Sequence, residues 1–247
     1  MPAIEGGRSW TIPAKTLKKG LSQTIIAASA DEARPVLTGV YVHTFEGKLY
    51  AVATDSYRLA EKELMKIKDE VELLVPASAI QDLLRIMGDF DGDVEVTHDD
   101  QQVLFRVDSV EMVARLIDGK YPDYRKLIPA TFAVSAKLPH AELTNITKVS
   151  SLFARESAGS ITINVSEADK QVSVHSIASQ LGENTAAAAA EVTGEGGITL
   201  NSRYLLDALH VINDDSVTFA FNGKLEPSVL RAEGKTDYTH VIMPLKS

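Results

Sequence analysis

The strongest constraint on the fold is that the chain states one plan twice. An offset of about 125 residues carries Asp82 to Asp207, Leu84 to Leu209, Val94 to Phe219 and Val96 to Phe221, a period too long for a solenoid repeat. Few identities survive the offset, so the match is one of order. In each half a helix follows a short apolar strand and precedes an acidic turn, Asp89 to Asp93 in the first and Asp214-Asp215 in the second. Between the halves, Gly119-Lys120-Tyr121-Pro122-Asp123-Tyr124 breaks all periodicity. The expectation is an α+β protein of two tandem similar domains, 1–124 and 125–247, each with two helices packed on antiparallel sheets.

Local signals fill in that plan. Residues 1–8 carry two glycines and no periodicity, and read either as a leader or as an artificial junction. Pro13 suits the first turn of a helix whose apolar stripe is Leu17, Leu21 and Ile25, with Lys15, Lys18 and Lys19 opposite. Gly20 weakens it by about 1 kcal/mol relative to alanine. Arg34-Pro35 stops it, because the residue before proline avoids the helical region. Strands are expected over 36–44 and 48–54 around a Glu46-Gly47 hairpin turn, then over 61–68 and 71–75. Pro76 opens a second helix with Ile80, Leu83, Leu84 and Met87 inward, and strands follow over 94–97, 103–107 and 111–116.

In the second half a helix is expected to begin at Leu138-Pro139 and run to Phe153, with strands over 161–165 and 171–177. The run Ala186 to Ala190 favours helix by propensity, yet the repeat requires a strand over 185–192. A strand over 198–200 leads to Asn201, the cap of a helix through Leu205, Leu206 and Leu209. Strands over 217–221, 228–232 and 239–243 close the chain.

Composition excludes several classes. The chain has no cysteine, hence no disulfide and no thiolate metal site. No apolar run approaches the roughly 20 residues of a membrane span, and a cytoplasmic location is expected. A net charge of −9 disfavours non-specific nucleic-acid binding unless the basic residues gather on one face. The six histidines stand singly, with no H-E-x-x-H, and no G-x-S-x-G or S-x-x-K nucleophile motif is present. Gly194-Glu195-Gly196-Gly197 precedes a strand rather than a helix, so it is no phosphate loop. Asp89, Asp91 and Asp93 lack the closing glutamate of a calcium loop. No metal, no cofactor and no catalytic centre are expected.

Two stretches carry chemistry. Thr54-Asp55-Ser56-Tyr57-Arg58-Leu59-Ala60 gathers hydroxyls, an acid and a cation at a strand end. By itself it reads either as a capped turn or as one wall of a pocket. Val241-Ile242-Met243-Pro244-Leu245 is apolar where chain ends are usually polar and frayed. It reads either as an edge strand or as the other wall. Tyr204, after Asn201, fits either core packing or the same pocket.

With Arg34-Pro35-Val36-Leu37-Thr38-Gly39-Val40, Asp118-Gly119-Lys120-Tyr121-Pro122-Asp123-Tyr124 and Phe153-Ala154-Arg155-Glu156-Ser157, these two stretches resemble the bacterial DNA polymerase III β subunit family, the sliding clamps. The resemblance covers nearly the whole chain but only the family's second and third domains. It implies the DNA-clamp fold and a non-enzymatic replication processivity factor. Such a factor encircles double-stranded DNA without reading its sequence. Through short peptides it tethers replicative and repair polymerases and the clamp loader. Members form head-to-tail homodimers with helices lining the hole. A chain without the first domain is expected to be monomeric, and the rival reading is a two-domain peptide-binding adaptor that closes no ring.

Residue by residue, the resemblance implies a partner-peptide pocket from Leu37, Thr54, Ser56, Tyr57, Arg58 and Leu59. The connector adds Pro122, Lys126 and Leu127. The last domain adds Asn201, Tyr204, Ser228, Val241, Ile242, Met243, Pro244 and Leu245. The DNA-facing candidates are Lys15, Lys18, Lys19, Arg34, Arg85, Lys148 and Arg203. Ala77-Ser78 stands where a further basic residue would help, and Lys246-Ser247 replaces a basic-apolar ending at the rim.

Overall fold

The computed structural model describes residues 4, 7–178 and 182–246. The chain divides into two units, Met1–Asp55 with Leu59–Pro122 and Ser56–Arg58 with Asp123–Ser247. The tripeptide Ser56–Arg58 thus groups with the second unit.

In the first unit, β1 (Arg8–Pro13) runs into α1 (Ala14–Thr24). Short 3-10 turns follow at Ile25–Ala27 and Pro35–Leu37. Then come β2 (Gly39–Phe45), β3 (Lys48–Thr54), β4 (Arg58–Lys66) and β5 (Glu72–Pro76). After α2 (Ala77–Met87) follow β6 (Asp93–His98), β7 (Gln102–Val107) and β8 (Val110–Arg115). The strands form two antiparallel arrays, ordered β1-β6-β7-β8 and β4-β3-β2-β5. Strict alternation makes β6 and β7 one-sided: Val94 and Val96 of β6 and Val103, Phe105 and Val107 of β7 are buried. Leu17 and Leu21 of α1 and Ile80, Leu83 and Met87 of α2 fill the space against them.

The second unit repeats this order. It has β9 (Val134–Pro139), α3 (His140–Phe153), β10 (Ser160–Ser166), β11 (Gln171–Ala178) and β12 (Gly182–Ala189). Next are β13 (Glu191–Thr193), β14 (Gly196–Asn201), α4 (Ser202–Val211), β15 (Ser216–Phe221), β16 (Ser228–Ala232) and β17 (Tyr238–Ile242). Its strands run β13-β9-β15-β16-β17 and β12-β11-β10-β14. Apart from the added β13, each position has its counterpart in the first unit. Phe219 and Phe221 are fully buried at its centre, each stabilising the fold by roughly 2–3 kcal/mol. Among the described residues no helix is long and apolar enough to cross a membrane.

Several expectations are corrected. Arg8, expected in a leader, begins β1, which buries Trp10 and Ile12; residues 1–3, 5 and 6, also in that leader, lie outside the described residues, as does Ser247. Residues 36 and 37, expected in a strand, lie in a 3-10 turn because Pro35 cannot donate to a ladder. Leu138 and Pro139, expected to start a helix, end β9, and the helix begins at His140. Gly20 is more than a weak helix residue: a Cβ there would stand 2.1 Å from Leu64 Cδ2, so the missing side chain lets α1 press on β4. The alanine run forms strand across β12, paired with β11 over Val174↔Ala186 and Val172↔Ala188. Its small inward residues lie under α3, whose Ser150 Oγ accepts a hydrogen bond from Asn184 Nδ2 at 3.3 Å.

One buried polar pair makes stability depend on pH. His240 on β17 is fully buried, its Nδ1 3.0 Å from the Tyr238 hydroxyl and its Nε2 without a hydrogen-bond partner. Burial first, and then the Arg58 charge, push its pKa down to about 3. The fold therefore holds a neutral ring, whereas the unfolded chain takes up a proton below about pH 6.5. Between those values the unfolded state binds more protons, so stability falls as pH falls. The expected loss at pH 5 is about 2 kcal/mol. Urea unfolding at pH 7.5 and 5 measures it, and the His240→Leu variant should lose that much less over the same interval; equal losses in both proteins would contradict a buried neutral imidazole.

Candidate functional site

The candidate residues fall in both units. In the second unit, the Ser56–Arg58 tripeptide and the chain end are joined by backbone. Met243 N–H donates to the Tyr57 carbonyl at 2.8 Å, and Leu245 N–H donates to Thr199 O at 2.8 Å. The segment after β17 is therefore fixed at two points. Val241 and Ile242 are each 1% exposed, so they are core; Met243, Pro244 and Leu245 are half-buried and contribute surface. Ser56 sits at φ 79°, a left-handed conformation that a non-glycine residue adopts at a cost. It turns the chain so that the Tyr57 ring, 59% exposed, stands in solvent.

Arg58 is the electrostatic centre of this region. Its guanidinium donates to Asp207 Oδ2 at 2.6 Å and lies 4.5 Å from the centroid of the Tyr204 ring. The arginine side chain is only 12% exposed. A charge-assisted bond and a cation–π contact act on one group, and the second is worth roughly 1–2 kcal/mol when partly desolvated. Tyr204 and Asp207 are three apart on α4 and so share a helix face. Asp207 was missing from the sequence-based site. A helical i, i+3 pairing with Tyr204 was the available signal, but its arginine partner lies far off in sequence.

Other candidates are already committed. The Ser228 hydroxyl is buried and donates to Ile242 O at 3.1 Å, so it serves β16–β17 pairing. Asn201 Oδ1 accepts from Arg203 N at 2.9 Å and caps α4, while its Nδ2 donates to Ala158 O. Lys126 pairs with Asp123 at 2.7 Å in a solvated contact, and Leu127 is exposed. In the first unit, Leu37, Thr54 and Leu59 are buried, Thr54 and Leu59 face each other across β3 and β4, and Pro122 is exposed.

The basic candidates divide the same way. Lys18 donates its ammonium to the Gly88 carbonyl, Arg85 pairs with Asp82 at 2.7 Å, and Arg34 pairs with Asp31 at 3.4 Å in the loop beyond α1. Lys15, Lys19, Lys148 and Arg203 are exposed on α1, α3 and α4. α1 carries three lysines and no acid, whereas α2 balances Arg85 with Asp82. Among the described residues no group of three His, Cys, Asp or Glu side chains is placed to hold a metal ion.

Comparison with known proteins gives the family. Residues 11–123 match the central domain of the DNA polymerase III beta subunit, and residues 125–246 match its C-terminal domain. The chain is 32% identical, over its full length, to the Beta sliding clamp of Staphylococcus aureus, and spans 66% of that protein. The DNA polymerase sliding clamp of Bacillus subtilis superposes on all of the chain with a TM-score of 0.95 at 28% identity, with 66% of that structure covered. The DNA polymerase III beta chain of Streptococcus pneumoniae gives 0.92 at 29% identity, with 67% covered. The chain belongs to the DNA polymerase III beta subunit family, the sliding clamps, and carries that family's central and C-terminal domains.

Proposed function

We propose that this chain is the partner-binding portion of a replication processivity clamp, tethering polymerases to DNA without catalysing a reaction itself. The observation that carries this reading is the pair of domain matches, which together span nearly every residue. The chain's own chemistry supports it. Around Tyr57, Tyr204 and Met243, apolar surface stands beside backbone and charged groups that are already fixed. An apolar recess takes bulky side chains and polar groups set a peptide's direction. The proposed ligand is a short extended peptide with a glutamine followed by large apolar residues. Two such side chains contribute roughly 3–6 kcal/mol before ordering costs, so the polar groups at the rim must supply the rest of the roughly 8 kcal/mol of a micromolar site.

The DNA role rests on the helices. Lys15 and Lys19 on α1, Lys148 on α3 and Arg203 on α4 are proposed to face the duplex phosphates. Such contacts position a protein on DNA without reading sequence.

Two measurements test the reading. Calorimetry with a Gln-Leu-Ser-Leu-Phe peptide should give micromolar affinity, and Met243→Ala should weaken it about thirtyfold, or about 2 kcal/mol. Unchanged affinity would remove Met243 from the site. For DNA, Lys15→Ala with Lys19→Ala should lower the log-affinity against log-salt slope on a short duplex by about 2, one for each phosphate no longer neutralised. An unaltered slope would take α1 away from the duplex.

A further inference from the structure

The first unit holds a file of four rings that neither the proposed peptide site nor the lysine face uses. Alternation along β2 puts Tyr41 and His43 on one face. The antiparallel register sets Tyr50 of β3 opposite His43, and Tyr121 comes from the segment beyond β8. Tyr41 stacks on Tyr121 at a centroid distance of 4.6 Å and on His43 at 4.5 Å, with interplanar angles of 15° and 17°. His43 lies 6.0 Å from Tyr50. Tyr121 and His43 are buried, while Tyr41 and Tyr50 are half-buried.

Strand register also decides what the Tyr41 hydroxyl meets. Glu72 of β5 pairs with His43, one diagonal step from Tyr41. Its Oε1 accepts from the Tyr41 hydroxyl at 3.0 Å. Burial first, and then this bond, raise the pKa of Tyr41, so near pH 7 the group is a neutral phenol bonded to a carboxylate. Glu72 is itself exposed, at a cleft of about 950 Å³, so a proton placed on it can pass to water.

This pairing sets Tyr41 apart from the other oxidisable rings. The chain has no cysteine, one tryptophan and seven tyrosines, so its aromatic rings are the ready donors of single electrons. A phenol or an indole gives up an electron easily only where its proton can leave as well. Trp10 Nε1 is buried without a hydrogen-bond partner. The Tyr238 hydroxyl faces His240 Nδ1, on a ring whose pKa is pushed down to about 3, a poor proton acceptor. Tyr204 and Tyr124 have guanidiniums 4.5 and 5.4 Å from their ring centroids, and a cation there opposes a second positive charge. Tyr57 can lose a proton to water, but at 59% exposed its radical would be open to coupling with another molecule. Tyr41 combines a carboxylate partner with two stacked neighbours.

We infer that Tyr41 is the one-electron oxidation site of this chain, a reversible sink for oxidising equivalents that reach its rings. The oxidant is a species that accepts a single electron, such as the carbonate radical anion. It takes one electron from the Tyr41 ring while the hydroxyl proton moves to Glu72 Oε1. The products are a neutral tyrosyl radical, a protonated glutamic acid and the oxidant reduced by one electron. A one-electron reductant such as ascorbate reverses the step, and the proton returns to the phenol oxygen. A vacancy formed on Tyr121 or Tyr50 passes to Tyr41 through the stacked rings, because Glu72 makes Tyr41 the easiest to oxidise. The flanking rings shield the radical from coupling with a second protein molecule.

The test is brief photolysis of the whole chain with tris(bipyridine)ruthenium(II) and persulfate, followed by freezing and electron paramagnetic resonance. The unaltered chain should give one dominant tyrosyl signal. Tyr41→Phe keeps a ring in the stack but has no hydroxyl, and should lose that signal. Glu72→Gln keeps the size and a hydrogen-bond acceptor but cannot hold the proton. It should lower the yield at least about tenfold, the loss expected when a hydrogen bond to a charged group is removed. Radical formation in the unaltered chain should be slower in deuterium oxide than in water, since electron and proton leave together. Ascorbate should erase the signal and leave the protein's mass unaltered. A signal undiminished in Tyr41→Phe would assign the vacancy to another ring and overturn the proposal. An unchanged yield in Glu72→Gln would overturn it as well. Dityrosine-linked dimers in place of a retained signal would mark an exposed ring as the site, and that too would overturn it.

Discussion

Among the described residues, each of the four α-helices begins by giving its first N–H to a carbonyl that immediately precedes a strand. Ala14 donates to Gly92 O, Ala77 to Thr38 O, His140 to Asp215 O and Ser202 to Gly159 O, at 2.8–3.1 Å. The acceptor residue precedes β6, β2, β15 and β10 in turn, and each of these pairs with the strand that leads into the helix. Helix starts have four orphan donors, and a proline that ends a strand has no N–H of its own to give. Pro13, Pro76 and Pro139 occupy that junction, and Asn201 occupies the fourth and caps with its side chain. One device solves both problems and fixes where each helix leaves its sheet. The repeated plan depends on it, since the helix faces take their positions from these junctions.

The same economy shapes the candidate peptide surface. Met243, Pro244 and Leu245 lie beyond the last strand, where a chain would ordinarily fray. Backbone bonds to Tyr57 O and Thr199 O hold them in place, so apolar side chains are displayed without being free to collapse. Beneath them β17 is buried throughout, with Val241 and Ile242 in the core and the Tyr238–His240 pair sealed from water. Arg58 lowers the proton affinity of both buried side chains while its own charge is met by Asp207 and the Tyr204 ring. The layer under the surface resists rearrangement because breaking the Arg58–Asp207 pair would leave a largely buried charge without its partner.

Much of this was legible because one-sided strands write their burial in alternate letters. β6, β7 and β15 show it plainly, and the start of α2 was marked by Pro76. What escaped has physical causes. β9 alternates Val134, Ala136 and Leu138 inward, but Pro139, a residue favoured in the first turn of a helix, makes Leu138-Pro139 read as a helix start. β1 offers two buried side chains in six residues, too few for a pattern. The alanine run had to be read against its propensity, and only the repeat supplied the reason. Gly20 looked like a defect because close packing with Leu64 is invisible in one dimension. The Arg58–Asp207 pair joins residues that no local rule connects, whereas the motif stretches around Tyr57 and Met243 were visible as composition out of place.

Charge makes the last distinction. The chain is strongly acidic, and of the seven basic DNA-facing candidates, Lys18, Arg34 and Arg85 are committed within the protein. Lys15, Lys19, Lys148 and Arg203 carry no such partner among the described residues. Four phosphate contacts would give a salt slope of only about −4 on duplex DNA, far short of a tight non-specific binder. Contacts that weak cannot retain a protein on DNA by affinity. They also cost little to break and remake at the next phosphate. Under the proposed function, contacts of that strength would let the chain move along a duplex, and its retention would rest on something other than phosphate affinity. The proposed function needs this separation: the helices supply low friction, and specific binding energy is reserved for the fixed apolar surface around Met243.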